Sequence, residues 1–243
     1  MDWLLDLGNT RLKATVHDGG RIGEVLALAH GEPGFEQRLA AALDGWPLPR
    51  RALMASVASP DLAARVQAIA ARAGVVVEPV HTRAEAAGVR IAYADPSRLG
   101  VDRFLTLLAA RRRADRAWLV VGVGTALTLD LMAPGGLHVG GLIAPSPDLM
   151  RTALAGRSAR LPADGGETLD FATDTLDALA SGCQAAALGL VDVGLARATR
   201  RLGEAPALLL AGGGAPALLP ALVHRHDHAP HLVLEGLAAF AAG

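Results

Sequence analysis

The sequence has a single cysteine, Cys183, a single lysine, Lys13, and a single tyrosine, Tyr93, in 243 residues. A lone thiol excludes an intramolecular disulfide and a Cys-rich zinc site. A lone lysine that follows Leu12 rather than a glycine excludes the phosphate loop G-x-x-x-x-G-K-[ST]. Neither sign of charge dominates: 23 Lys+Arg face 24 Asp+Glu for a net charge of −1, so the electrostatic footprint of a nucleic-acid binder is missing. Aromatic residues are only 3% of the chain, too few to interleave Arg111-Arg112-Arg113 with stacking platforms, and that run reads as charge complementing a helix C-terminus. Mean hydropathy is +0.33, yet Ala and Leu are dispersed among Arg and Gly, and no apolar run approaches the roughly 18–20 residues of a membrane span. The start, MDWLLDLGNT, shows no basic region leading to a small-residue cleavage site. The expectation is a soluble cytoplasmic protein without membrane or nucleic-acid partners. With 51% hydrophobic residues it can bury a sizeable core in one or two domains.

What is present is an alternation of strands and helices. Residues 4–7, 12–16 and 25–29 read as short strands, the first two punctuated by Gly8-Asn9 and Gly19-Gly20. Residues 51–58 read as another strand. Ser59-Pro60-Asp61 then opens a helix, with Ser59 as N-cap, Leu62, Val66, Ile69 and Ala73 as its apolar stripe and Gly74 at its end. Further strands are expected at 75–80, 118–123, 126–132, 138–143, 208–210 and 231–234, helices at 102–113 and 174–201, and a loop at 156–166. At an offset of 116, Gly8 meets Gly124, Gly19 meets Gly135 and Gly20 meets Gly136, each within matched apolar strands. Two similar α/β lobes are predicted, residues 1–115 and 116–243, meeting at a cleft.

Asp6-Leu7-Gly8-Asn9-Thr10 falls where a strand turns sharply into its neighbour. Gly8 lets the backbone approach a ligand, and successive N–H groups there can form an anion nest. Asp6, at the strand end, is placed to hold a hydrated Mg²⁺. A plain hairpin with an Asn turn fits the same residues. The second copy, Gly122-Val123-Gly124-Thr125-Ala126-Leu127-Thr128, favours a pair of turns gripping phosphates. It is not a dinucleotide fingerprint, because Leu127 stands at the third glycine.

The pair D-x-G-N-T and G-T-A-x-T, with Ala211-Gly212-Gly213-Gly214, resembles the sugar-kinase, heat-shock-ATPase and actin superfamily. Within it the sequence is similar to type III pantothenate kinases. The segments that carry this are Gly100-Val101-Asp102-Arg103, Gly140-Gly141-Leu142-Ile143-Ala144-Pro145, Ala153-Leu154 followed by Leu161-Pro162, and the run from Thr175 to Gly182. The resemblance spans nearly the whole chain in the family's order. It implies two ribonuclease H-like lobes with mixed sheets, an ATP cleft and a homodimer. It also implies transfer of the γ-phosphoryl group of ATP to the 4′-hydroxyl of pantothenate, towards coenzyme A. By motif, Asp6, Leu7, Gly8, Asn9, Thr10, Arg11, Leu12 and Lys13 would bind ATP phosphates with Mg²⁺ held by Asp6 through water, Thr125 would help, and Gly212 and Gly213 would flank the adenosine. Asp102 matches the general base, while Tyr93, Gly100, Val101, Asp102, Arg103 and Thr175 match substrate positions. Relatives carry an Asp where this chain has Gly122, so a monovalent cation site (K⁺ or NH₄⁺) built on that carboxylate is in question: the cation is bound by backbone oxygens, or the branch works without it.

The chemistry is coherent on its own terms. Phosphoryl transfer needs alignment and charge neutralisation, and an aliphatic hydroxyl needs a carboxylate to accept its proton. Arg103 can hold a substrate carboxylate by a bidentate contact. Three other features are set aside. His224-x-His226-x-His228-x-x-His231 reads as a solvated loop rather than a metal site, Cys183 as a small buried residue, and Asp130 either as a group behind the Mg²⁺ site or as a strand-edge polar residue.

Overall fold

The computed structural model describes residues 1–158 and 160–243. The chain divides into two compact units, Met1–Ala114 with His231–Gly243, and Asp115–Pro230. The sequence expectation kept everything after 115 in one lobe; the last thirteen residues instead join the first unit because they form a helix that packs there.

The first unit begins with β1 (Asp2–Leu7), β2 (Arg11–Asp18), β3 (Arg21–Ile22) and β4 (Leu26–Ala29), then α1 (Phe35–Asp44), β5 (Ala52–Ser56), α2 (Pro60–Arg72) and β6 (Val77–Pro79). A small hairpin of β7 (Glu85–Ala86) and β8 (Val89–Arg90) precedes α3 (Val101–Arg113). The sheet order is β3-β2-β1-β5-β6, with β4 also on β2; β1 runs antiparallel to β2 and parallel to β5. Being central, β1 has both faces covered, which is why it reads Trp-Leu-Leu without alternation. Leu39 and Leu43 of α1 and Val66 and Ile69 of α2 form one core with Trp3, Leu5 and Leu7. The Ser59 hydroxyl caps α2 by accepting from Leu62 N–H at 3.3 Å, as the Ser-Pro-Asp signal predicts.

The second unit holds β9 (Trp118–Val123), β10 (Ala126–Met132), β11 (His138–Pro145), α4 (Pro147–Ala155), α5 (Thr175–Leu202), β12 (Ala207–Ala211), α6 (Ala215–Leu218) and β13 (His226–His228). Its order, β11-β10-β9-β12-β13, repeats that of the first unit, antiparallel on one side of the leading strand and parallel on the other. The repeat extends to backbone conformation. Gly19 and Gly20 (φ 55° and 99°) match Gly135 and Gly136 (φ 78° and 82°), left-handed pairs that turn the second strand of each sheet back. It extends to burial as well: β1 and β9 are buried at every position but the fifth, occupied by Asp6 and by Gly122.

The last helix, α7 (Leu232–Ala241), lies where a strand was expected at 231–234. The apolar pattern continues to Phe240, and ten residues suit a helix better than a short strand. It packs on α3 through Gly236, whose Cβ would stand 2.1 Å from Leu105 O, and through an edge-to-face pair of Phe104 and Phe240. The histidine cluster also departs from expectation: residues 226–228 form an edge strand beside β12. There the His224 ring meets Asp192 at 2.7 Å and the His226 ring bonds the His224 carbonyl. No group of three or more His, Cys, Asp or Glu among the described residues is placed to hold a metal.

Helix α5 buries only Ala180, Cys183, Ala187, Val191, Gly194 and Ala198, one stripe along 28 residues. Its most apolar 18-residue window averages a hydropathy of 1.5, so by length and composition it is apolar enough to cross a membrane, which the dispersed apolar residues did not lead one to expect. A core helix passes the same test. This one packs on β9, β10 and α4, and Gly194 lets Leu129 come within 2.3 Å of where a Cβ would be. Burial raises the Cys183 thiol pKa, opposed by the charge of Arg151.

Candidate active site

At the end of β1, Leu7 and Leu12 are fully buried, which turns Asp6 and its cross-strand partner Lys13 to the opposite face. The turn is closed by the Gly8 N–H donating to Arg11 O at 3.0 Å, and a Cβ on Gly8 would meet that oxygen at 3.3 Å. Asn9, Thr10 and Arg11 are exposed at its tip. Of the eight residues named from sequence, Leu7 and Leu12 therefore offer a ligand only their backbone.

Burial pushes the Asp6 carboxyl pKa up to about 7, with Lys13 opposing the rise and Asp102 adding to it. Asp102 sits in the first turn of α3, where its Oδ1 accepts the Arg103 N–H at 2.8 Å. The same oxygen would be 2.6 Å from a Cβ on Gly100, so glycine precedes this helix to leave room for the carboxylate, not because of any unusual φ. Val101 faces the core, and Arg103 is 6% exposed, its guanidinium reaching the Tyr93 hydroxyl at 3.5 Å. Asp6, Lys13, Asp102, Arg103 and Tyr93 thus all belong to the first unit.

A buried carboxylate, Asp6, whose proton affinity is raised by burial and by the nearby Asp102, beside a turn of exposed backbone, suits a divalent cation held through water and ligand phosphates. Mg²⁺ retains several waters and needs only one or two protein carboxylates.

The second unit carries the remaining residues. Gly124 and Thr125 form the tip between β9 and β10, where Gly124 N–H donates to Ala126 O at 2.9 Å and Thr125 O accepts from Ser146 N–H at 3.4 Å. Beside this tip, Gly212 (φ 96°) packs so tightly that a Cβ would lie 2.2 Å from Val123 O, and Gly214 N–H donates to that same oxygen at 3.0 Å. The Gly-rich segment and the Gly124-Thr125 turn are therefore built on one strand end, with open space around Gly213. Thr175 is exposed at the start of α5, which Asp174 caps by accepting from Leu176 and Asp177 N–H. Those backbone bonds, Asp177's first, hold the Asp174 carboxyl below its usual range. Asp130 is buried with His138, Nε2 to Oδ1 3.1 Å, inside the sheet.

Gly122 carries no carboxylate, and a Cβ there would lie 2.7 Å from the Thr128 hydroxyl. Position 122 therefore offers no carboxylate to a monovalent cation. Sequence reasoning missed His30, whose ring lies 3.2 Å from Gly8 O; nothing in its local sequence signals this, because β2–β4 pairing creates the contact.

A duplicated sheet with a glycine turn after each leading strand is the fold of actin-like ATPases and sugar kinases. A solved glucokinase from an Antarctic psychrotroph shares it (TM-score 0.51, 11% identity, covering 100% of this chain and 99% of that one). So does a conserved Campylobacter jejuni protein assigned to the Baf family of transcriptional activators (TM-score 0.61, 19% identity, 99% and 97% covered). Identities this low speak for the fold alone. Within that class the chain belongs to the type III pantothenate kinase family, whose sequence profile matches residues 3–197. It is 51% identical over 240 residues to the type III pantothenate kinase of Stenotrophomonas maltophilia strain R551-3, covering 99% of this chain and 97% of the relative. The protein is thus a kinase, and its family uses ATP with a divalent metal.

Proposed function

We propose that the protein phosphorylates the 4′-hydroxyl of pantothenate with ATP, the first committed step towards coenzyme A. The observation that carries this is the 51% identity over nearly full length to named pantothenate kinases. The geometry of residues 100–103 supports it. Asp102 accepts the hydroxyl proton as the new P–O bond forms, and its carboxylate, already turned back over Gly100, is fixed by the Arg103 N–H. Arg103 and Tyr93, which touch each other, bind the pantothenate carboxylate and its neighbouring polar atoms. Gly100 and Val101 add acceptor contacts in the first unit, and Thr175 is assigned an acceptor contact by its motif alone. The turn from Asp6 to Lys13 binds phosphate through backbone N–H groups and the Lys13 charge, and Thr125 binds phosphate in its own unit. Gly212 and Gly213 flank the adenosine. Asp6 would hold Mg²⁺ through water, a cation that would supply charge neutralisation for the transferring phosphoryl group.

With glycine at position 122, a monovalent cation is held by backbone oxygens or the reaction proceeds without one. We place the enzyme in the cytoplasm as a homodimer. Support for the dimer comes from the second unit, where α4 buries none of its residues and Leu149, Leu154 and Val193 are 39%, 45% and 44% exposed. Asp102→Asn tests the assignment: turnover should fall by about 10²–10⁴-fold with nucleotide affinity unchanged. Full activity in that variant would remove Asp102 as the base.

A further inference from the structure

We propose that His30 is a positioning residue for nucleotide binding, holding the Gly8–Asn9 peptide with its N–H group turned towards the phosphates. The inference rests on the reading that the Asp6-to-Lys13 turn binds ATP.

Strand β4 pairs with β2, Ala29 opposite Arg11, so His30 leaves the sheet alongside Thr10, and its backbone N–H donates to Thr10 O at 3.3 Å. Its ring then folds back over the turn, with Nε2 3.2 Å from Gly8 O. A carbonyl oxygen can only accept, so Nε2 carries the hydrogen of this bond. The ring is fixed from its other side by an edge-to-face contact with Phe35, centroids 6.2 Å apart and planes at 79°. Phe35 is itself 3% exposed and begins α1. A single side chain thus grips the turn at Gly8 while its own backbone grips Thr10.

In a planar trans peptide the C=O and the following N–H point in opposite directions. Tying Gly8 O to His30 therefore aims the Asn9 N–H away from His30, on the exposed side of the turn. Gly8 lacks the Cβ that would resist rotation of this peptide. A rotated peptide would present a carbonyl dipole to the phosphate and repel it. The imidazole closes that alternative without touching the ligand.

Three variants separate this role from simple packing. His30→Phe keeps a ring on Phe35 but has no donor; His30→Asn has an amide that stops short of Gly8; His30→Gln places an amide N–H at about the reach of Nε2. Binding of ATP with Mg²⁺ is measured by titration calorimetry without any acceptor, alongside KM and kcat. Loss of the hydrogen bond should weaken ATP binding and raise KM for ATP about tenfold in His30→Phe and His30→Asn. KM for the acceptor and the melting temperature of His30→Phe stay at wild-type values, and His30→Gln recovers most of the affinity. Wild-type ATP affinity in folded His30→Phe or His30→Asn overturns the proposal, as does a His30→Gln variant as weak as both. A wild-type protein that binds ATP yet phosphorylates no pantothenate defeats the functional reading alone, because the binding arm needs no acceptor.

Discussion

Asp6 should make the empty protein less stable as pH rises, and Asp6→Asn should relieve the loss. Its carboxyl shifts from 3.8 to about 7 on folding, chiefly through burial and in part through Asp102, with Lys13 opposing. Between those values the folded chain holds a proton that the unfolded chain has released. The stabilisation linked to Asp6 is therefore complete below pH 4, falls through the interval, and is gone above pH 7. About three pH units at 1.36 kcal/mol each set an upper bound of about 4 kcal/mol. An Asn at this position keeps the shape without the charge and escapes the pH-dependent part. Urea unfolding of both proteins at pH 5 and pH 8, without nucleotide or metal, spans about two of those units and should show the Asn variant gaining up to about 2.6 kcal/mol on the wild type between the two conditions. Groups common to both proteins cancel in that difference. A stability gap that does not change with pH would refute the argument. The same variant should lose Mg²⁺-dependent ATP binding, so that a residue serving the ligand is a burden on the fold.

Other expectations follow from close contacts. Gly236→Ala, which drives a Cβ into the Leu105 backbone at 2.1 Å, should cost about 3 kcal/mol and lower Tm by roughly 10 °C, read by calorimetry. Gly212→Ala meets both a positive φ of 96° and Val123 O at 2.2 Å; ATP affinity should fall at least about tenfold while acceptor binding persists, measured by titration of each ligand. Replacing potassium by sodium should change turnover less than about twofold, because position 122 offers no carboxylate, and a steep potassium dependence would show the cation bound by backbone oxygens instead.

The duplicated sheet was legible because glycine pairs needing positive φ, Gly19-Gly20 and Gly135-Gly136, recur at one spacing after the buried leading strands β1 and β9. Helix α2 was legible through Ser59-Pro60-Asp61. Ser146-Pro147-Asp148 starts α4 with the same signal, the Ser146 hydroxyl accepting from Leu149 N–H at 3.2 Å, but none of that helix's residues is buried. Helices α1 and α7 begin without a side-chain cap, at Gly34 and His231, so the local code gave them no start. Asp6 and the glycine turns could be read as a candidate site from residue type and spacing, and Asp102 from the family resemblance. His30 could not, since its role depends on a strand pairing that brings position 30 back to position 8.

Pantothenate phosphorylation is tested most directly by ADP release from the purified protein with ATP and Mg²⁺, with pantothenate, glucose, glycerol or acetate as acceptor, and the product identified by mass. Turnover that requires pantothenate and yields its monophosphate is the predicted result. ATP binding with no turnover on any acceptor, or turnover with another acceptor and none with pantothenate, would contradict it.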